Sequence, residues 1–230
     1  MGKFAAELPA SQMDIREAAE MMKRTMDMMA GASELPVTRV KVPSGGGKYF
    51  DMGDDVPPTA VIEGVIMESR FGNVYWDKPM GEGDATPACE SKNGLSGWYM
   101  QDGELMERSC KTCPMNIKGS AGGGKRSKAC KNIAILRMLV DGQALPVEVK
   151  VPTMSVGNYS HYLARQLVPR GLDVWQVTTK LTLRDAVNSG GIKYSQIAFE
   201  CTGRVDDHEI MMLRGAVQPM LPGGEKASAE

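Results

Sequence analysis

Between Ser11 and Ala30 apolar residues recur at helical spacing. Ile15, Ala18, Ala19, Met22, Met26 and Met29 form one stripe, and Arg16, Glu17, Glu20, Lys23, Arg24 and Asp27 largely fill the other side. That alternation predicts an amphipathic helix. Ser11 and Asp14 stand in capping-box spacing at its start, and Gly31 stops it. The stripe can pack on the protein's own core, or its Met-rich surface can serve self-association or a protein partner. Residues 1–36 are read as an N-terminal segment built around this helix.

Beyond Pro36 the period shortens to that of strands, with runs at 37–42, 48–52, 60–67 and 73–76. These suggest a curled meander. Pattern resumes at 133–140, turns at Asp141-Gly142 and returns through 145–151, a two-residue hairpin signal. Thr153 or Ser155 then caps a helix carrying Tyr159, Tyr162, Leu163 and Leu167 and ending near Gly171. Strands at 174–183 and 192–205, joined through residues 188–191, and a short helix at 206–217 complete the pattern. A tail rich in Pro, Gly, Ala and Ser, 218–230, is expected to be flexible. The order fits neither regular βαβ alternation nor a bundle. It predicts a mainly β fold with added helices (α+β), a small antiparallel barrel spanning 37–217.

From 81 to 131 the aliphatic pattern gives way to glycine, lysine, serine and cysteine, which marks an insertion without a core of its own. Four of the five cysteines lie in it, spaced C-x20-C-x2-C-x16-C as Cys89, Cys110, Cys113 and Cys130. A C-x2-C turn presents two thiolates to one ion, and zinc favours four such ligands in a closed tetrahedron. A metal would also supply the order that packing cannot. The expectation is a structural zinc site. An iron–sulfur cluster is the alternative, because the paired halves of an ordinary zinc ribbon are missing. Cys201 is left over in a strand-like apolar run and reads as a structural thiol.

The chain of 230 residues, 42% hydrophobic, is long enough for a sizeable core, and a net charge of −1 argues against coating duplex nucleic acid by overall positive charge. The charge is nevertheless uneven. Arg108, Lys111, Lys118, Lys125, Arg126, Lys128 and Lys131 fall within 24 residues that hold no Asp or Glu. Such a patch either keeps a glycine-loosened loop solvated or contacts phosphates, with affinity that falls as salt rises. Gly119 to Lys125 does not fit the spacing of a phosphate-binding P-loop, so this stretch and Gly45-Gly46-Gly47-Lys48 read as basic loops. No membrane-spanning run or secretion signal is present in the sequence, and clustered cysteines suit a reducing compartment, so a cytoplasmic location is expected. His161 and His208 stand in no recognisable catalytic motif, and Asp54-Asp55 and Asp206-Asp207, which could hold a divalent metal in a nuclease as a lesser alternative, read first as caps and turns. An enzyme is not expected.

Aromatic residues occur as pairs beside turns: Tyr49-Phe50, Tyr75-Trp76 and Trp98-Tyr99. Neighbours on a strand face opposite sides, so one member can enter the core while the other is exposed for stacking on a base. With Tyr75, Trp76, Trp98 and Tyr99 beside the basic patch, this organisation resembles the single-stranded DNA-binding proteins of bacteriophages, whose OB-folds sometimes carry a structural zinc. The resemblance covers residues 37 to 205 by organisation rather than by motif. It implies an OB-like barrel with a metal-binding insertion and a protein that coats transient single strands, DNA in the first instance, during replication or recombination. The alternative is a regulatory interaction module of phage or mobile-element origin that grips a partner through the 11–30 helix.

Overall fold

In the computed structural model the first helix, α1, runs Ile15–Met28. It opens one turn later than the spacing suggests, because the Asp14 side chain accepts the Glu17 N–H and so acts as the N-cap. The structure describes residues 8–10, 12, 14–29, 37–53, 56–77, 86–123, 126–143, 145–188 and 190–217. Ser11, Asp54, Asp55, Lys125 and the 218–230 tail therefore lie outside the described residues.

Among the described residues strands and bridges account for 41% and helices for 26%, so the fold is mainly β. The strands are β1 (Thr38–Val40), β2 (Val61–Tyr75), β3 (Cys89–Ser91), β4 (Ser96–Gln101), β5 (Glu104–Ser109), β6 (Lys131–Val140), β7 (Val147–Val151), β8 (Val177–Val187) and β9 (Lys193–Arg204). Two further helices are α2 (Thr153–Tyr162) and α3 (Asp207–Val217). The expected pair of strands at 60–67 and 73–76 is one continuous 15-residue strand, β2. Its polar middle stays in the ladder because Glu68 meets Arg137 of β6 at 3.6 Å, and Arg137 in turn lies 4.0 Å from Glu148 of β7.

The chain divides into two compact units, one drawn from Met1–Ser69, Leu136–Lys150 and Gly157–Glu230, the other from Arg70–Ile135 and Val151–Val156. In the first, β1 pairs with β7 in parallel, while β2 pairs with β8 and β8 with β9 antiparallel. The sheet is open and mixed, which corrects the expected closed antiparallel barrel. A physical reason lies at residues 48–52. This run makes only the isolated bridges Lys41↔Asp51 and Phe50↔Thr59, so it supplies no strand to close the sheet. The OB-type barrel is not realised among the described residues.

The apolar stripe of α1 is spent inside the first unit. Ile15, Ala18, Ala19 and Met22 share a buried cluster with Val65, Leu139, Val205, Ile210 and Leu213. Met26 and Met29 are half-buried and Met28 is exposed. Met22→Ala is expected to destabilise this unit by about 2–5 kcal/mol, as cavities of that kind do, read as a lower urea midpoint. A second cluster stacks Tyr159 and Tyr162 of α2 on Phe199, with ring centroids 5.1 and 5.9 Å away. The helix of Tyr159 ends at Gly171, whose φ of 65° is the left-handed stop expected there.

In the second unit the packed apolar cluster is small: Val74, Ile133 and Ile135. The expected insertion is core-poor, as the composition suggests, but it is not irregular throughout. β2 pairs with β3, β3 with β4 and β4 with β5, all antiparallel, so a ribbon of strands crosses the insertion.

Candidate metal centre and nucleic-acid interface

The ribbon's register aligns Tyr75, Cys89, Tyr99 and Met106 in one row across β2, β3, β4 and β5. Facing residues of a ladder project from the same side of the sheet, so Cys89 stands between two tyrosines. Cys110 and Cys113 follow the end of β5 in a tight turn. The Cys110 N–H donates to the Leu95 carbonyl at 2.7 Å, and the Asn116 amide donates to the Cys110 carbonyl at 2.8 Å. Cys130 precedes β6, and its N–H donates to the Met115 carbonyl at 2.8 Å.

These anchors bring all four predicted thiols to the wall of one cavity of about 220 Å³, which Tyr75, Tyr99, Arg108 and Asn116 also line. Gly97 explains part of the convergence. An added Cβ there would stand 2.8 Å from the Cys89 sulfur, which would have to shift, and at an ordinary 3.7 Å from that of Cys110, so glycine lets the Cys89 sulfur sit where it does. Among the described residues, no three Cys, His, Asp or Glu side chains form a ready-made coordination group as they stand. The four thiols thus lie along the wall of a common space. Gly97→Ala is expected to push the Cys89 sulfur aside and weaken metal binding on the order of 10–100-fold, read by competition with a chromophoric chelator.

Burial pushes the Cys130 thiol up to about 11, with the neighbouring Cys113, Cys110 and Cys89 adding to it and Lys128 opposing. Burial likewise raises Cys89, where Arg108 opposes. Neutral thiols are therefore favoured without a metal, and a bound cation would have to displace their protons. Four thiolates around one divalent ion leave a net negative centre, which Arg108 and Lys128 are placed to offset. Cys201 stands apart on β9 and is half-buried rather than buried, its thiol 4.0 Å from the Gly203 carbonyl.

The predicted basic residues divide into two sets. Arg108, Lys111, Lys118 and Arg126 are exposed. Lys128 is half-buried and donates to Asn116 at 2.8 Å and Asn132 at 2.7 Å, while Lys131 donates to the Lys128 carbonyl at 2.5 Å. Those two amines fasten the loop to its own backbone and side chains. Arg108 lies over the Tyr99 ring at 4.5 Å and donates to the Tyr99 hydroxyl at 3.2 Å.

The aromatic pairs split as expected for Tyr49-Phe50, where Phe50 is fully buried and Tyr49 is 62% exposed. Trp98 and Tyr99 take opposite faces of β4. Tyr99 lines the thiol cavity, and Trp98, 48% exposed, borders a shallow depression with Arg70, Glu90, Lys92 and Ser96. Tyr75 also lines the cavity, and Trp76 is 44% exposed. Arg70 and Lys92 are absent from the sequence expectation. Lys92 lies just beyond β3, two residues after Glu90, which stands opposite Trp98 across β3 and β4. Asp206 and Asp207 act as the expected helix-start residues, Asp206 accepting the His208 N–H at 2.9 Å.

No family model, curated protein or solved structure matches the chain. No helix among the described residues is long and apolar enough to cross a membrane.

Proposed function

We propose that the protein binds single-stranded nucleic acid, DNA in the first instance, through the β3–β5 ribbon and its basic loop, without reading base sequence. The proposal includes a structural zinc held by Cys89, Cys110, Cys113 and Cys130 that fixes the ribbon and loop. The observation that carries it is the gathering of four thiols from distant points of a core-poor segment around one cavity, beside exposed cations. Zinc is favoured because an all-cysteine set offers four soft ligands and leaves no open position for chemistry. An iron–sulfur cluster would use the same residues and would reveal itself by colour.

The binding surface in this reading combines sequence-tolerant stacking with phosphate neutralisation. Trp98 and Trp76 offer exposed rings, and Lys92, Lys111, Lys118 and Arg126 offer exposed positive charge. Base stacking on an aromatic ring contributes about 1–3 kcal/mol per base and tolerates any base, since every base has a π-face. Trp98→Ala is expected to cost about that much for one stacked base. Titration of labelled oligothymidine and a mixed-sequence oligonucleotide at low salt tests this. Equal loss on both supports the reading, whereas unchanged affinity on both, or wild-type protein that binds neither, refutes it.

A further inference from the structure

The outer edge of the ribbon, β5, can be read without reference to nucleic-acid binding. β5, Glu104-Leu-Met-Glu-Arg-Ser109, is exposed at every residue and stands last in the strand order, so among the described residues no strand pairs with its far side. Edge strands ordinarily carry protection against self-pairing, such as Pro, a bulge, short length or charged side chains, Lys above all; the charges of β5 are Glu104, Glu107 and Arg108. β5 has no Pro or Lys, keeps an unbroken register with β4, and mixes both charge signs. It also exposes Leu105 at 62% and Met106 at 40%.

The hairpin geometry states which backbone groups are on offer. Asp102 and Gly103 form a two-residue turn with φ of 53° and 84°, the arrangement of a type I′ turn. The flanking pair Gln101↔Glu104 is then hydrogen-bonded, and bonded pairs alternate along the ladder. The N–H and C=O groups of Glu104, Met106 and Arg108 therefore point to β4, and those of Leu105, Glu107 and Ser109 point outward.

An incoming antiparallel copy must set outward-pointing residues opposite one another, which allows only alternate registers. Two of these overlap five strand residues. One centres on Glu107 and places that glutamate against its own copy. The other centres on Met106, bonds Leu105 to Glu107, and places Glu104 of each copy opposite Arg108 of the other. Like charges directly opposite are destabilising and opposite charges stabilising, so the second register is selected.

We infer that β5 pairs antiparallel with β5 of a second copy about a two-fold axis at Met106, joined by two reciprocal Glu104–Arg108 ion pairs. The interface is isologous, as a two-fold dimer requires, and covers part of the apolar surface of Leu105 and Met106.

Sedimentation analysis of the full chain tests it. The wild type is expected to show a concentration-dependent species of roughly twice 24.9 kDa. Glu107→Pro removes an outward N–H without touching the bonds to β4, and should leave only monomer. Glu104→Arg and Arg108→Glu should each lose the dimer alone, because each sets like charges opposite. Mixed in equal amounts they should recover it, since arginines on one copy then face glutamates on the other. This mixing arm keeps the test decisive even if the proline variant does not fold. Wild-type protein that stays monomeric at the highest concentration reached overturns the inference, and so does a dimer that all three variants leave intact or a mixture that fails to recover it. None of these readings depends on nucleic-acid binding, so failure here leaves the proposed function to its own test.

Discussion

Replacing Cys110 by Ser is expected to empty the metal centre and loosen the second unit while leaving the first intact. Cys110 is buried, and its backbone is tied on both sides, to Leu95 and Asn116. Its position is thus fixed, and only the ligand atom changes. A hydroxyl is a poor substitute for a thiolate toward a soft cation, so the four-fold set becomes three-fold. Metal binding and folding are coupled where packing is scarce, and among the described residues the packed cluster here is Val74, Ile133 and Ile135. Binding free energies of structural zinc run to about 10–16 kcal/mol in small peptides, far above what such a cluster supplies. Hydrogen exchange is therefore expected to accelerate by orders of magnitude from residue 88 to 131 and to stay slow at Val65, Leu139 and Leu213. Unchanged exchange in the ribbon, with metal retained, would show that Cys110 is not a ligand.

The second large effect concerns the exposed cations. Changing Lys111, Lys118 and Arg126 together to Ala should weaken binding of single strands irrespective of sequence. It should also flatten the plot of log affinity against log salt. If each contacts one phosphate, the slope falls by about 2, since a single-strand phosphate contributes ~0.7. Lys128 does not belong in this set. Its bonds to Asn116 and Asn132 tie the loop together, so Lys128→Ala mixes a folding defect with any loss of charge. A slope that the triple change leaves unaltered would place the strand elsewhere on the molecule.

Much of the fold was legible because its signals were local. The α1 stripe, the Gly171 stop and the closing helix each follow from periodicity or a single conformational requirement. The two-residue hairpin expected at Asp141-Gly142 is instead a longer link, with β6 ending at Val140 and β7 starting at Val147. The barrel was misread because closure depends on long-range pairing that no local pattern records. Residues 48–52 alternate like a strand, yet Phe50 is satisfied by one bridge to Thr59 and full burial. The gap between 67 and 73 looked like a break because Glu68 and Arg70 are polar, whereas an ion pair to Arg137 carries the strand across.

At the candidate site, the four cysteines stand out by spacing alone, and in the structure all four line one cavity. The ribbon that holds them was readable in part. Gln101-Asp-Gly-Glu104 is the same kind of turn signal as Asp141-Gly142, but the glycine and lysine content around it masked the strands on either side. Gly97 carried no sequence signal at all. Its importance comes from the Cys89 sulfur, which approaches it from the neighbouring strand. The engagement of Lys128 and Lys131 was equally hidden, since a lysine's sequence neighbours do not tell whether its amine faces water or a carbonyl.

The claim on which the rest depends is that four thiolates hold one ion. Metal analysis of the purified chain, paired with its visible absorption spectrum, addresses it most directly. One zinc per chain in a colourless protein, lost together with the Cys110→Ser change, is the predicted result. Metal-free protein with all five thiols open to a thiol reagent and an ordered ribbon would contradict it.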